Sequence, residues 1–273
     1  MIAGALSHFR GPIVTAVRNK SLIVELTRRE IQGRYRGANF GLLWALISPF
    51  LMLAVYSLAF GSILKSRWPQ TDGGGHDFTL ILFVGLIIHG FFAECISRSP
   101  QLVVQNPNFV KRVIFPLEIL PWPMVLSALF HLMTNFVAFI VLQLLLDHQF
   151  IWKVILVPII ISPLLVLSMG IAWWLAALGV YFRDIGQVTG VVVTALLFTS
   201  TAIMPLSSVA PSALWLFKLN PLSFIIDQAR EAALWNHFPN WYGLGLYTLI
   251  ALAFSYAGYV VFFAAKRGFA DVL

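Results

Sequence analysis

Residues 154–182 read VILVPIIISPLLVLSMGIAWWLAALGVYF, a run without one charged side chain. About 20 mostly apolar residues suffice for a helix to cross the hydrocarbon core of a bilayer, so this run predicts a transmembrane helix. Five further runs meet the same criterion, at residues 40–64, 78–97, 117–146, 188–206 and 242–265. The sequence therefore predicts an all-α membrane protein with six transmembrane helices.

The composition supports this interpretation across the whole chain. Hydrophobic residues make up 59% of the 273 positions and charged residues 11%, whereas a soluble domain carries about 25% charged residues. No polar stretch is long enough for a separate soluble domain. We therefore expect one membrane domain over residues 1–273, with an amphipathic segment at 1–39, a six-span bundle at 40–265 and a tail at 266–273.

Basic residues predict the orientation of the spans. If the N-terminus is cytoplasmic, 13 of the 18 Lys and Arg residues lie on the cytoplasmic side and 5 lie on the other. Positive charge is concentrated in the cytoplasmic loops of membrane proteins, so this orientation is favoured and both termini are cytoplasmic. The formal net charge of +7 then reflects topology, and no nucleic-acid partner is expected.

A polar segment at residues 19–36 precedes the first span. At the helical spacing of about 100° per residue, one face collects its polar side chains, Glu25, Arg28, Arg29, Gln32 and Arg36. This pattern predicts an amphipathic helix in the membrane interface. Two roles stay open, an anchor to anionic membrane lipid and a docking platform for a cytoplasmic partner.

The segment between the second and third spans contains NPNFVKRVIFPLEILP at residues 106–121. Pro107 and Pro116 bracket a short helix, because proline interrupts longer ones. An apolar face formed by Phe109, Val110 and Val113 could dock in a partner's groove, although an ordinary amphipathic loop is the alternative. The candidate coupling residues are Asn106, Pro107, Phe109, Lys111, Arg112, Phe115, Pro116 and Glu118.

The segment at residues 207–241, between the fifth and sixth spans, is too long for a tight turn and too apolar for a free loop. It predicts two short re-entrant helices separated at Asn220-Pro221, because proline suits the first turn of a helix. We expect these helices to form an external gate. The gate candidates are Trp215, Asn220, Pro221, Asp227, Arg230 and Glu231, the last three at salt-bridge spacing.

Polar residues inside the spans suggest local contacts. Glu94 and Arg98 are four positions apart, which predicts an ion pair within one helix. His131 and Asn135 share a face of the third span, where hydrogen bonds to neighbouring helices are favoured over proton transport. Neither a His-Glu-x-x-His pattern nor a cluster of Cys and His occurs, so no metal site is expected.

Three patterns in this order carry a family resemblance: RYRGANFGLLW at residues 34–44, the segment at 106–121, and NPLSF at 220–224 followed by Arg230. Together they resemble the permease subunit of the polysaccharide-exporting branch of ABC-2 type transporters, closest to the O-antigen exporters. The resemblance implies that residues 106–116 couple the permease to its ATPase. It also adds linker candidates to Glu25, Arg28 and Arg29 of the amphipathic helix, namely Arg34, Tyr35, Arg36, Gly41 and Trp44.

The resemblance also implies the partners and the cargo. No Gly-rich phosphate loop ending in Gly-Lys-Ser or Gly-Lys-Thr occurs, so this chain is not expected to be an enzyme. ATP and magnesium would be bound by two copies of a separate cytoplasmic ATPase. The expected cargo is a polyprenyl-pyrophosphate-linked O-antigen crossing a bacterial inner membrane. Because six helices leave little room for a conduit, we expect a homodimer with the pore at its twofold interface.

A sugar chain needs a polar or aromatic path, because a buried hydroxyl without a partner costs roughly 2–7 kcal/mol. Aromatic rings and hydroxyls permit sliding along such a path. Candidate pore residues are Tyr56 and Phe60 on the first span and Thr194, Phe198 and Thr201 on the fifth. Helix packing is an equally simple explanation for each of these residues.

Other functions remain open at this stage. A capsule or teichoic-acid exporter, or a small-molecule exporter of the same fold, shares most of these features. A membrane-embedded glycosyltransferase would need carboxylates at a membrane boundary, and Asp227 with Glu231 and Arg230 is the one suitable cluster.

Overall fold

The computed structural model describes residues 11–56, 58–59, 75–110, 115–147 and 151–273. In these ranges the regular structure is helical, without a strand. The principal helices are α1 (Pro12–Arg18), α2 (Lys20–Arg34), α3 (Trp44–Tyr56), α4 (Gly75–Arg98), α5 (Pro107–Val110), α6 (Pro121–Asp147), α7 (Val157–Tyr181), α8 (Ile185–Phe198), α9 (Leu214–Leu219), α10 (Pro221–Ala233), α11 (Trp241–Ala265) and α12 (Phe269–Val272).

Four segments are long and apolar enough to cross a bilayer, and they coincide with four of the six predicted spans. They are Phe78–Gln101, Leu117–Leu145, Trp152–Tyr181 and Trp241–Val272, which contain α4, α6, α7 and α11. The other two predicted spans, at residues 40–64 and 188–206, overlap with shorter apolar helices, Gly41–Tyr56 and Ile185–Phe198. Six spans therefore stay a prediction.

The two shorter helices differ from the predicted spans in where they end. Residues 57 and 60–64 of the first predicted span lie outside the described residues. In the fifth, α8 has 14 residues, so it is about 21 Å long against a hydrocarbon thickness of about 30 Å. The hydroxyl of Thr199 donates to the carbonyl of Ala195 at 2.8 Å, and such side-chain bonds compete with continued helix.

Helices α7 and α11 pack closely against each other. A Cβ atom added to Gly170 would lie 2.6 Å from the Cα of Ser255, and one added to Gly258 would lie 2.5 Å from the carbonyl oxygen of Gly170. Small residues let helix backbones approach closely in membranes, where the hydrophobic effect gives no drive to associate. Trp173 and Tyr259 pack edge to face beside this crossing, with ring centroids 5.1 Å apart.

The N-terminal helices lie against the long ones. Thr15 of α1 is buried and its hydroxyl is 3.0 Å from that of Tyr259 on α11. Helix α2 buries Ile23 and packs against α6. The side chains of its predicted polar face are exposed: Glu25, Arg28, Arg29, Gln32 and, just beyond its end, Arg36. The helix is therefore amphipathic within the protein, while its contact with lipid stays a prediction.

Two short helices, α9 and α10, lie between α8 and α11, and Asn220-Pro221 separates them. Proline starts α10, and the side-chain oxygen of Asn220 accepts the backbone N–H of Leu222 at 2.9 Å. Asparagine is a preferred N-cap residue because it satisfies a free helix donor in this way. Whether these helices dip into the membrane stays a prediction.

Candidate functional site

A cavity of about 630 Å³ opens between α3, α4 and α6 and the linker that follows α2; we call it the membrane cavity. Its aromatic walls include Trp44 and Tyr56 from α3 and Phe83 and Phe91 from α4. Its polar side chains are Arg34, Tyr35, Ser48, His89, Glu94, His131, Thr134 and Asn135. Rings combined with polar groups suit a ligand that has both apolar faces and hydroxyls.

Four of the linker and pore candidates line this cavity, namely Arg34, Tyr35, Trp44 and Tyr56. The first three come from the linker motif and the last from the predicted pore face. The linker turns sharply between them, because Gly37 and Gly41 have φ angles of +87° and +50°. Glycine adopts this left-handed backbone without the steric penalty that other residues meet. The linker glycines thus bring the end of α2 beside α3.

A chain of ion pairs joins α2 to α4 at one end of the cavity. The guanidinium of Arg34 donates to both carboxylate oxygens of Glu94, one of them at 3.2 Å. Glu94 also accepts from Arg98 at 2.9 Å, which is the pair predicted from their spacing. Arg98 then contacts Glu30 of α2. We refer to Glu30, Arg98, Glu94 and Arg34 as the ion-pair chain.

Glu30 was not among the residues proposed from the sequence. It lies on the side of α2 that also carries the partly buried Leu26 and Ile31. A carboxylate on the apolar side of an amphipathic helix is the signal that could have identified it, because such a group needs a partner. The partner, Arg98, lies 68 residues away and was not visible from local spacing.

Tyr35 extends the connection to α6. Its hydroxyl lies 3.1 Å from Nδ1 of His131, and the two rings meet edge to face. Burial is the largest influence on the Tyr35 hydroxyl and raises its pKa, so the group stays protonated at neutral pH. Within the described part of the chain, Nε2 of His131 has no hydrogen-bond partner. This nitrogen is itself buried, although His131 as a residue lines the membrane cavity.

The predicted coupling segment is only partly open to a partner. Asn106 donates to the carbonyl of Leu102 at 2.8 Å and precedes the short helix α5, which begins at Pro107. The ring of Phe109 stacks on that of Phe115 with centroids 4.2 Å apart, and both pack against the core. The predicted apolar docking face is therefore turned in part towards its own chain. Lys111 and Arg112 lie outside the described residues.

Glu118 was proposed for coupling, but the structure gives it an internal partner. Its carboxylate is buried and pairs with Lys266 at 2.9 Å, and its backbone carbonyl accepts from the indole of Trp173 at 3.0 Å. Pro116 has an extended backbone, with φ −78° and ψ 91°, and precedes the short 3₁₀ turn that contains Glu118. The sequence interpretation differs here because Lys266 lies 148 residues away, beyond the reach of a local pattern.

The three pore candidates from the fifth predicted span do not share a face. Thr194 and Phe198 lie on an exposed side of α8, and the Thr194 hydroxyl donates to the carbonyl of Gly190 at 3.0 Å. Thr201 is buried and donates to the carbonyl of Ser223 at 3.2 Å. The prediction assumed a continuous helix, whereas α8 ends at Phe198 and the helical register is lost. Phe60 lies outside the described residues.

Arg230 is the most tightly held of the gate candidates. The side chain is fully buried, and its guanidinium donates to the carbonyls of Ile81 at 2.9 Å, Thr201 at 2.6 Å and Ala202 at 2.9 Å. Asp227 lies 3.8 Å away, at the limit of an ion pair. The last two carbonyls follow the C-terminal end of α8, where the helix dipole favours a cation.

The other gate candidates form a different set of contacts from the one expected. Glu231 pairs with His237 at 2.6 Å, so its predicted pairing with Arg230 is replaced by one to a loop residue. Asn220 donates to the carbonyl of Leu196 at 2.9 Å as well as capping α10, which ties Asn220-Pro221 to α8. Trp215 remains exposed on α9. Among the described residues, no cluster of His, Cys, Asp and Glu could hold a metal ion.

Comparison with known proteins gives one family. A family model described as ABC-2 type transporter matches residues 21–234. The O-antigen export system permease protein RfbA of Myxococcus xanthus is 23% identical over 254 residues, covering 92% of this chain and 95% of the relative. The protein of the same name in Klebsiella pneumoniae is 24% identical over 257 residues, with 92% and 95% covered. The polysialic acid transport protein KpsM of Escherichia coli is 25% identical over 245 residues, with 88% and 93% covered.

Proposed function

The chain belongs to the ABC-2 type transporter family, and we propose that it is the membrane subunit of an ATP-driven exporter of polyprenyl-pyrophosphate-linked O-antigen. The observation that carries this proposal is the match over nearly the full length of both chains to proteins named as O-antigen export permeases. The export would run from the cytoplasm to the periplasmic face of the inner membrane, with both termini of this chain in the cytoplasm.

The membrane cavity supports a carbohydrate cargo on chemical grounds. Trp44 and Tyr56 offer ring faces that can stack on a sugar, and Ser48 and Asn135 add polar groups to the lining. The Arg34–Glu94 pair adds both donors and acceptors at one end. Because a sugar hydroxyl left without a partner in an apolar site costs roughly 2–7 kcal/mol, a route lined in this way is favoured over one lined with aliphatic residues alone.

The proposed assembly contains two copies of this chain and two copies of a cytoplasmic ATPase, which would bind ATP and magnesium. Helices α3 and α8 present exposed apolar side chains such as Val55, Val191 and Phe198. A second copy would cover part of these faces and place the cavities of both chains near one axis, while membrane lipid would cover the rest. The segment at residues 106–116 is the proposed contact with the ATPase.

A capsule exporter is the second candidate function, and the match to the polysialic acid transport protein favours it. Both candidates predict a polymer that reaches the cell surface only when this chain is present. The glycosyltransferase alternative would use Asp227 and Glu231, but Glu231 is occupied by His237. A teichoic-acid exporter would use the same cavity and would differ from the two other exporters only in its cargo.

The test is complementation of a deletion strain, followed by mass analysis of the glycolipid that co-purifies with the complex. We expect the wild-type chain to restore surface O-antigen and Tyr56→Ala to reduce it severalfold, because the ring leaves the membrane cavity. Tyr242→Ala is the matched control, since that ring is 85% exposed at the start of α11. Restoration of capsule without O-antigen would favour the second candidate, and normal surface glycans of both kinds in the deletion strain would contradict export altogether.

A further inference from the structure

A second cavity, of about 500 Å³, lies between α2 and the coupling segment; we call it the vestibule. Glu30, Arg34 and Arg98 line one side, and Asn106 and Phe109 line another. It therefore lies beside the residues proposed to contact the ATPase. Its lining is more polar than that of a core void, which suits a water-filled space.

The vestibule and the membrane cavity meet at one side chain. Arg34 lines both, whereas Glu94 lines the membrane cavity and Arg98 and Glu30 line the vestibule. The bond from Arg34 to Glu94 thus crosses the boundary between the two spaces. The ion-pair chain forms the partition between them.

We propose that the Arg34–Glu94 ion pair is a gate, and that opening this gate gives the glycan access from the vestibule to the membrane cavity. This inference rests on the proposed function, because it takes the exported polymer as the molecule that passes. The gate belongs to a single chain and is separate from the external segment formed by α9 and α10.

The contacts around the pair allow it to open without dismantling the fold. Both side chains are partly exposed, with exposed fractions of 37% for Arg34 and 17% for Glu94, so the pair is not enclosed in the core. When Arg34 leaves, Glu94 keeps Arg98 and is not left as an unpaired carboxylate. Arg98 also holds Glu30, so α2 stays attached to α4.

The position of Arg34 in the chain also suits a moving part. It is the last residue of α2, and the linker behind it contains Gly37 in the left-handed backbone region. On the other side of the vestibule lies Phe109 of the coupling segment. A displacement of that segment would change the shape of the vestibule next to the gate, so nucleotide-driven motion has a short path to Arg34.

The experiment measures access to the membrane cavity in resting vesicles. Thr134 lines that cavity, and we use Thr134→Cys in a Cys95→Ala background within the assembled complex. A membrane-impermeant maleimide is added from the cytoplasmic side. We expect Arg34→Gln to raise the labelling rate roughly fivefold, as for loss of a water-facing ion pair, and Glu94→Gln to act similarly. Lys20→Gln, which removes one positive charge from the exposed start of α2, should leave the rate unchanged.

A double Arg34→Gln/Glu94→Gln variant should label no faster than the faster single variant, because each single change already breaks the same contact. Unchanged labelling in both single variants would overturn the gate, as would an equal rise with Lys20→Gln. If Arg34→Gln fails to assemble with the ATPase, Glu94→Gln alone decides the question. Labelling needs no cargo, so a surface polymer other than O-antigen would refute the proposed function and leave the gate standing.

Discussion

Replacing Arg230 with methionine should destabilise the protein strongly, although this position faces neither cavity. The change keeps an unbranched stem but loses the guanidinium, which removes three hydrogen bonds, to Ile81, Thr201 and Ala202. The carbonyl of Ile81 belongs to a helix, whereas those of Thr201 and Ala202 lie past the end of α8. The latter two therefore depend on Arg230 for donors.

The magnitude follows from those two carbonyls. A buried acceptor without a partner costs about 1–3 kcal/mol, so two give about 2–6 kcal/mol. Removing the buried charge also relieves part of its own desolvation penalty, which offsets the upper part of that range. We expect a net loss of about 2–4 kcal/mol and a fall in the thermal midpoint of roughly 5–15 °C. Arg230→Lys should be intermediate, because it keeps the charge and supplies fewer donors in that geometry.

The chain contains its own reporter for the measurement. Cys95 is the only cysteine and is buried in the core, so a dye that fluoresces on reacting with a thiol reports core opening on heating. Glu231→Gln is the matched control, since its pair with His237 is largely exposed and weak. A midpoint for Arg230→Met within about 2 °C of the wild type would refute the argument. An equal fall with Glu231→Gln would show that the segment is sensitive to any change.

Two further predictions concern packing and the loop at residues 234–240. Gly170→Val should prevent normal folding, because its Cβ would lie 2.6 Å from the Cα of Ser255. A Cβ added at Gly90 has no atom within 4 Å, so Gly90→Ala should behave as wild type in size-exclusion chromatography. A monodisperse Gly170→Val protein would contradict this prediction. Lys153→Met should speed hydrogen exchange at residues 234–240. The Lys153 ammonium donates to the carbonyl of Asn236 at 2.5 Å and lies 4.0 Å from the ring centroid of Phe238. Unchanged protection would show that the loop is held by other contacts.

The long helices could be predicted from the sequence because hydrophobic length is a local property. Each of α4, α6, α7 and α11 lies within or across an uninterrupted apolar run, and the bilayer thickness sets the length. The end of α8 could not be predicted in the same way. Hydrogen bonds from Asn220 and Arg230 stabilise the non-helical conformation of the residues that follow Phe198. These two donors lie 21 to 29 residues further along the chain than the residues they contact. Hydropathy contains no information about those contacts.

The candidate site shows the same division between local and distant contacts. The Glu94–Arg98 pair followed from helical spacing. Arg34 and Glu94 are 60 residues apart in the chain, so their ion pair could not be inferred from helical periodicity. The fifth-span pore face was drawn from an assumed continuous helix. Spacing along one helix therefore identified the Glu94–Arg98 pair, but it failed where α8 ends and where His237 replaces Arg230 as the partner of Glu231.

Helix α4 connects these distant contacts and determines which parts of the protein can move. Near one end its Ile81 carbonyl holds Arg230, and at the other its Arg98 guanidinium holds Glu30 of α2. It is also the most deeply buried of the four long candidate spans. By contrast, α3 and α8 are short and present many exposed side chains. If both ends of α4 are fixed by charged side chains from elsewhere, a conformational change is most easily taken up by α3, α8 and the linker at Gly37. These elements adjoin the membrane cavity, so the movable part of the fold lies where a passing glycan would need room.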